Sequence, residues 1–217
     1  MSSFSLRIFA ILCLSALALS AAPEKWGKDI AKFEAAAKAN PHPKGALLFV
    51  GSSSIRMWDL KSSFPKQKTI NHGFGGSELE DSLYFADRII IPHAPAMVLL
   101  YAGDNDINKG KTANRVVDDY KKFIAKIHAT LPKTRIIFLP IKPSLSRWEK
   151  WPEMKKANLA IQNLSKKNPL LVYLDTATPM LGDDGKPMPD LFKKDGLHLN
   201  NKGYQIWNKV VKNLLKN

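Results

Sequence analysis

Five short, mostly apolar runs recur along the chain, each bounded by charged or turn-forming residues. Runs of this length that do not alternate with polar residues are typical of strands buried on both faces of a sheet. They cover residues 46–50, 68–71, 96–101, 135–139 and 170–174. The pattern therefore predicts five buried strands.

The segments between these runs carry apolar residues at every third or fourth position, which is the spacing of a helix with one buried face. In the first segment these positions are Trp26, Ile30, Phe33 and Ala37. The prolines and the histidine of residues 40–43 end that segment. The sequence predicts helices over residues 26–39, 79–88, 112–130, 151–167 and 201–215.

Strands that alternate with helices predict an α/β protein in which helices cover both faces of a parallel sheet. These elements indicate one three-layer α/β/α domain with a doubly wound, five-stranded, flavodoxin-like sheet in the order 2-1-3-4-5. No proline- or glycine-rich linker and no internal repeat divides the sequence. In such sheets a ligand binds beyond the carboxyl ends of the strands where the order reverses, which here means strands 2, 1 and 3.

The first twenty residues differ from the rest in composition. Arg7 precedes an apolar stretch over residues 8–19, and small residues follow it. This pattern is typical of a secretory signal peptide, and the stretch is shorter than the roughly 20 residues of a membrane span. We expect residues 1–20 to be removed and residues 21–217 to form an exported domain, periplasmic or secreted, with no integral membrane segment. A buried N-terminal helix is the alternative.

Cysteine usage and charge narrow the remaining choices. The only cysteine, Cys13, lies in the predicted signal peptide, so we expect no disulfide, thiol nucleophile or thiolate metal site in the mature chain. The formal net charge of +14 is of the kind found in nucleic-acid-binding proteins. The lysines are dispersed over the predicted helices, however, and no nucleic-acid-binding motif accompanies them. We expect a basic surface and no nucleic acid partner.

Four polar, glycine-containing segments fall at the predicted binding edge of the sheet. Residues 51–54 (Gly-Ser-Ser-Ser) follow strand 1, residues 71–76 end strand 2, and residues 103–106 (Gly-Asp-Asn-Asp) follow strand 3. Residues 195–198 (Asp-Gly-Leu-His) come after a long loop that follows strand 5. Each segment is weak evidence by itself, but together they indicate one site.

These four segments resemble the motifs of the SGNH (GDSL-type) hydrolases, in that family's order and over nearly the whole mature chain. The resemblance implies the family's α/β/α fold and a serine nucleophile after strand 1. Gly51 matches the glycine of the Gly-Asp-Ser motif, Ser52 stands where the family usually has aspartate, and Ser53 matches the nucleophile. Because the register rests on Gly51 alone, Ser54 stays open as the alternative.

A serine hydroxyl needs a base that takes its proton, and His198 is the expected base. It is the only one of the five histidines with an acid three residues earlier in a loop that opens a helix. At that spacing Asp195 can reach Nδ1 of the imidazole and fix its tautomer. The resemblance assigns the oxyanion hole to the backbone N–H groups of Ser53 and Gly76 and to the side-chain amide of Asn105.

Other residues near the same edge are weaker candidates. Arg56 follows the nucleophile, and Arg147, Trp148 and Trp151 lie in the loop after strand 4, so we expect these four to contact substrate. Packing within the loop is the alternative for the two tryptophans. No cofactor and no metal are expected, since His42 and His72 lack a ligand pattern and no phosphate-binding loop is present.

The sequence therefore predicts an exported serine hydrolase of carboxylic esters that acts through an acyl-Ser53 intermediate. The expected substrate is a small ester or an acylated glycan, with short acyl groups such as acetyl first. Acyl hydrolysis of the lysophospholipase or thioesterase type is one alternative. A non-catalytic glycan- or envelope-binding module on the same fold is another, and Ser52 in place of aspartate is its support.

Overall fold

The computed structural model describes residues 24–216, and five parallel strands form its sheet. The strands are β1 (Leu47–Gly51), β2 (Thr69–Gly73), β3 (Met97–Tyr101), β4 (Arg135–Phe138) and β5 (Leu171–Tyr173). Their order is β2-β1-β3-β4-β5, which confirms the predicted doubly wound sheet. The predicted signal peptide, residues 1–20, lies outside the described residues.

Helices of very different length connect the strands. They are α1 (Glu24–Ala39), α2 (Ser53–Arg56), α3 (Leu60–Ser63), α4 (Leu79–Tyr84), α5 (Ala86–Ile89), α6 (Asp104–Asn108), α7 (Ala113–Thr130), α8 (Trp151–Ser165) and α9 (Asn201–Leu214). The four long ones match the predicted segments within a few residues. The helix predicted over residues 79–88 was wrong as one element, because the chain leaves helical geometry at Phe85, whose ring is buried against Phe74.

Alternate residues of each strand face opposite layers, so the sheet has two separate cores. On one face Leu48 and Val50 pack with α1, α4, α5, α7 and α8. On the other face Leu47 and Phe49 pack with α2, α3 and α9, around the fully buried ring of Trp207. Both faces of β1 are therefore covered, which is the reason for its unbroken apolar run.

The carboxyl ends of β1 and β3 lie in close contact. Gly51 has φ +136°, and a Cβ at this position would lie 1.9 Å from the carbonyl oxygen of Tyr101. The backbone N–H of Ser52 donates to the same oxygen at 3.2 Å. Only glycine allows the turn from β1 into α2 at this place.

Gly51→Ala should destabilise the protein by roughly 3 kcal/mol or more, because the new methyl group overlaps backbone and the positive φ is strained. The matched control is Gly27→Ala in α1, where the new Cβ would lie more than 4 Å from every described heavy atom beyond its chain neighbours and the helix's own backbone. The control should stabilise the helix by about 0.5–1 kcal/mol. Urea unfolding of both variants gives the two free energies, and equal stability of Gly51→Ala and wild type would contradict the close contact.

Three histidines meet between the amino-terminal helix and the sheet. The ring of His72 lies 4.8 Å from that of His93 and 6.3 Å from that of His42, and it stacks on Phe33 at 4.5 Å. Its Nδ1 donates to the carbonyl oxygen of Ile89 at 2.7 Å. Burial lowers the pKa of His72 to about 4, so the ring stays neutral in the folded protein.

The contribution of His72 to stability should fall as pH falls from about 6.5 to about 4, because the unfolded chain binds a proton at His72 and the folded protein does not. This group accounts for about 3 kcal/mol over that interval. The raised pKa of Asp106 acts in the opposite direction, so the comparison with a variant isolates the histidine. In His72→Asn the amide can still donate to Ile89 but does not titrate, so the free energy of unfolding of the variant should rise relative to that of wild type as pH falls. Urea unfolding at pH 7, 5.5 and 4.5 measures both slopes, and parallel slopes would show that His72 is not responsible.

Candidate active site

Ser53 begins α2, and its hydroxyl faces the imidazole of His198. Its Oγ lies 2.9 Å from Nε2 of His198, and the residue is partly exposed. Ser52 and Ser54 are buried on either side. The carbonyl oxygen of Ser52 accepts the backbone N–H groups of Ile55 and Arg56, at 3.0 and 3.1 Å. Of the three consecutive serines, Ser53 is thus the one whose hydroxyl contacts the histidine.

The loop before α9 holds His198 and Asp195 in a fixed relation. Oδ2 of Asp195 lies 2.6 Å from Nδ1 of the imidazole, while its Oδ1 accepts the backbone N–H groups of Leu197 and His198 at 2.9 Å each. These bonds, first of all the one from the imidazole, hold the pKa of Asp195 well below its usual range. The carboxylate is ionised at neutral pH and fixes the tautomer with a proton on Nδ1. Nε2 is therefore free to accept the proton of Ser53.

The backbone N–H groups of Ser53 and Gly76 are candidates for an oxyanion hole. Neither Ser53 nor Gly76 donates its N–H to a backbone or side-chain acceptor within residues 24–216. Gly76 has φ +78°, a conformation that glycine adopts without strain. Its loop is fixed from both sides, since Trp26 donates to the carbonyl of Gly75 at 2.9 Å and the hydroxyl of Ser77 donates to that of Phe74 at 2.8 Å.

Asn105, in α6, lies across from this loop. Its Nδ2 donates one hydrogen to the carbonyl oxygen of Ser77 at 2.9 Å, and its Oδ1 accepts from Nη1 of Arg147 at 3.1 Å. A side-chain amide has two donor hydrogens, so one remains for a ligand. Asp106 braces the turn by accepting the N–H groups of Gly103 and Leu79, and burial raises its pKa to about 6.

Arg147, expected to contact substrate, lies behind Asn105 with its side chain only 13% exposed. Its Nη1 also donates to Oδ1 of Asp104 at 2.6 Å. Oδ2 of Asp104 accepts Lys142 Nζ at 3.0 Å and the hydroxyl of Tyr101 at 3.1 Å. We call Tyr101, Asp104, Lys142 and Arg147 the Asp104 cluster. Burial opposes the charge, but the two cations outweigh it and hold the pKa of Asp104 below its usual value.

The sequence analysis missed this cluster, although one signal was present. Lys142 stands between Pro140 and Pro143 directly after the apolar run of β4. A lysine in such a run is buried only with partners. Its partners are 38 and 41 residues away in the chain, so the pairing is not visible in the sequence.

The other expected contacts lie around the same edge. Arg56 is an exposed residue, and its guanidinium covers Gly75, where a Cβ would come within 2.6 Å of Cζ. The rings of Trp148 and Trp151 stack at 6.0 Å with 17° between their planes. Trp148 also lines a cleft of about 300 Å³ with Leu145 and Met188, whereas Trp151 packs against the core.

Other features of the described chain lie apart from this edge. A larger cleft of about 650 Å³ lies between Phe64 and α9, and none of the candidate site residues lines it. Residues 24–216 hold no group of three or more His, Cys, Asp or Glu side chains placed to bind a metal ion. Over the same range, every helix is too short or too polar to cross a bilayer.

Solved structures share this architecture at low sequence identity. A candidate platelet activating factor from Streptococcus pneumoniae is 22% identical, with 87% of this chain and 92% of that one covered and a TM-score of 0.79. A GDSL-like lipase from Bacteroides thetaiotaomicron is 19% identical, with coverage of 86% and 97% and a TM-score of 0.74. A variant of an acetylxylan esterase from Geobacillus stearothermophilus is 13% identical, with coverage of 78% and 94% and a TM-score of 0.64. At these identities the likeness shows a common fold.

No curated protein is similar enough to match this chain. A family model, however, assigns the sequence to a family. The model of the GDSL-like Lipase/Acylhydrolase family matches residues 53–206, which begin at the candidate nucleophile and extend into α9. The match covers most of the chain and agrees with the fold, so this protein belongs to the GDSL-like lipase and acylhydrolase family, the SGNH hydrolases of the sequence analysis.

Proposed function

We propose that this protein is an exported serine esterase that hydrolyses carboxylic esters through an acyl-Ser53 intermediate. The observation that carries the proposal is the continuous chain of contacts from Ser53 Oγ to His198 Nε2, at 2.9 Å, and from His198 Nδ1 to Asp195, at 2.6 Å. A nucleophile, a base and a group that orients the base are the parts that acyl transfer requires.

The first half of the reaction forms the acyl-enzyme. His198 Nε2 takes the proton of Ser53 as Oγ attacks the ester carbonyl carbon, and the carboxylate of Asp195 stabilises the imidazolium. The carbonyl oxygen becomes an oxyanion that accepts hydrogen bonds from the N–H groups of Ser53 and Gly76 and from Asn105. The intermediate then collapses: the bond to the alcohol oxygen breaks, and His198 gives its proton to that oxygen.

The second half releases the acid. His198, neutral again, removes a proton from a water molecule, whose oxygen attacks the acyl carbon on Ser53. The same donors stabilise the second oxyanion. The bond from Ser53 Oγ to the acyl carbon breaks, the serine regains its proton from His198, and the carboxylic acid leaves.

The proposed substrate is a short acyl ester on a carbohydrate, with acetyl as the first acyl group to test. The Geobacillus protein of the same fold is an acetylxylan esterase, which makes this substrate class reasonable for the chain. The ring of Trp148 beside a cleft provides an apolar face of the kind that packs on sugar rings. Export is proposed on the composition of residues 1–20 alone.

Hydrolysis of p-nitrophenyl acetate, butyrate and octanoate should be fastest for acetate and should vanish in Ser53→Ala, because no other hydroxyl within residues 24–216 contacts the base. Ser54→Ala, which changes the neighbouring buried hydroxyl, is the matched control and should keep wild-type activity. Rates that rise with acyl length would favour the lysophospholipase or thioesterase alternative. A folded wild-type protein with no activity on any ester would favour the binding module instead.

Asn105→Ala should lower kcat by about 10²-fold with little change in KM, because the lost donor binds the oxyanion and not the ground-state ester. The control is Asn163→Ala, an exposed asparagine in α8, which should leave both constants unchanged. Steady-state kinetics on p-nitrophenyl acetate measures the split. An effect confined to KM would assign Asn105 to ground-state binding.

A further inference from the structure

The Asp104 cluster holds an uneven set of charges in a buried place. Lys142 and Arg147 provide two cations and Asp104 one anion, while their side chains are 1%, 13% and 6% exposed. Burial raises the pKa of Tyr101 well above its usual value, so this hydroxyl stays neutral. The cluster therefore has one more positive than negative charge. An unpaired buried charge is destabilising, so a functional explanation for this excess is needed.

We attribute the excess charge to its position in the site, because Arg147 contacts the side-chain amide of Asn105. Nη1 of Arg147 is shared between Oδ1 of Asp104, at 2.6 Å, and Oδ1 of Asn105, at 3.1 Å. The second oxygen of Asp104 is held by Lys142 and Tyr101. The carboxylate therefore fixes the guanidinium, and the guanidinium reaches the amide.

Two contacts decide which way the amide of Asn105 faces. In the observed orientation Nδ2 donates to the carbonyl of Ser77 at 2.9 Å, and Oδ1 accepts from Arg147 at 3.1 Å. Rotation of the amide by 180° would place two acceptors together at Ser77 and two donors together at Arg147. Both contacts reject the flipped form, so Nδ2 and its second hydrogen stay on the Ser77 side.

We infer that Arg147 is a positioning residue that orients and polarises the side-chain amide of Asn105 for the developing oxyanion. A cation that donates to Oδ1 draws electron density from the amide, which makes the remaining Nδ2 hydrogen a stronger donor. This inference rests on the proposed function, because the oxyanion forms only if the site hydrolyses esters. It assigns Arg147 to the reaction without contact to the substrate.

The site also explains why arginine stands at this position. One planar guanidinium nitrogen serves two oxygens at once, from neighbouring residues of α6. A lysine ammonium has the same charge but lacks the fixed planar geometry of the guanidinium. The loop that carries Arg147 is itself tied down, since the backbone N–H of Ser146 donates to the carbonyl of Gly196 at 3.1 Å.

Arg147→Met should lower kcat on p-nitrophenyl acetate by roughly tenfold, part of the loss that follows removal of a whole oxyanion donor, with KM within twofold of wild type. Asp104 keeps Lys142 and Tyr101 as partners, so the variant should fold. The matched control is Arg115→Met, which removes an arginine that pairs with Asp119 and Glu80 on α7 and α4. The control should keep wild-type kinetics. Arg147→Lys should recover part of the lost kcat.

A double-mutant cycle separates positioning from other roles. In the Asn105→Ala background, Arg147→Met should cost less than twofold in kcat, since the amide through which it acts is gone. An equal loss in both backgrounds, or a loss confined to KM, would overturn the inference. The second outcome would return Arg147 to the role of a substrate contact.

A measurement without turnover distinguishes failure of this inference from failure of the proposed function. In ¹⁵N-labelled protein, the side-chain amide resonance of Asn105, assigned from its loss in Asn105→Ala, should shift upfield in proton frequency in Arg147→Met and not in Arg115→Met. An inactive wild-type protein that shows this shift would contradict the esterase proposal and keep the polarising contact. An unchanged resonance would overturn the inference whether or not the protein hydrolyses esters.

Discussion

Pairing of β1 with both β2 and β3 is the constraint on which the site depends. The three strands run in parallel and in register, so Gly51 lies between Gly73 and Tyr101 at one edge. The chain turns sharply after each strand, and each turn brings one part of the site: a hydroxyl, a backbone donor or a side-chain amide. Only the histidine and its carboxylate come from elsewhere, from the loop before α9.

Much of this arrangement could be predicted, because the signals are local. Apolar runs predicted the strands and helical spacing predicted the helices, and their alternation indicated a doubly wound, flavodoxin-like sheet with its strand order. Ser53 and Asn105 lie in short motifs directly after strands, so the predicted sheet brings them to one edge, whereas His198 was predicted from the acid three residues before it in the loop that opens α9. The break at Phe85 was not visible, since the ring leaves the helix for a partner eleven residues earlier in the chain, Phe74.

Long-range polar contacts were the part that the sequence could not give. In the sequence, Asp104 is indistinguishable from any other acidic residue of a turn. Its role became visible only from the structure, in which Lys142 and Arg147 form ion pairs with it. The three histidines likewise come from separate segments, and their rings meet only in the fold. Charge pairing and burial are properties of three-dimensional neighbours, and no periodicity records them.

The backbone hydrogen bond from Ser146 to Gly196 makes two loops of the candidate site depend on each other. It joins the loop of Arg147, which contacts Asn105, to the loop of Asp195 and His198, so the two halves of the candidate site are tied to each other. An insertion in either loop would disturb both halves together. Under the proposed function, length variation that changes substrate preference therefore has room in segment 181–189, on the far wall of the Trp148 cleft, rather than in segment 145–148.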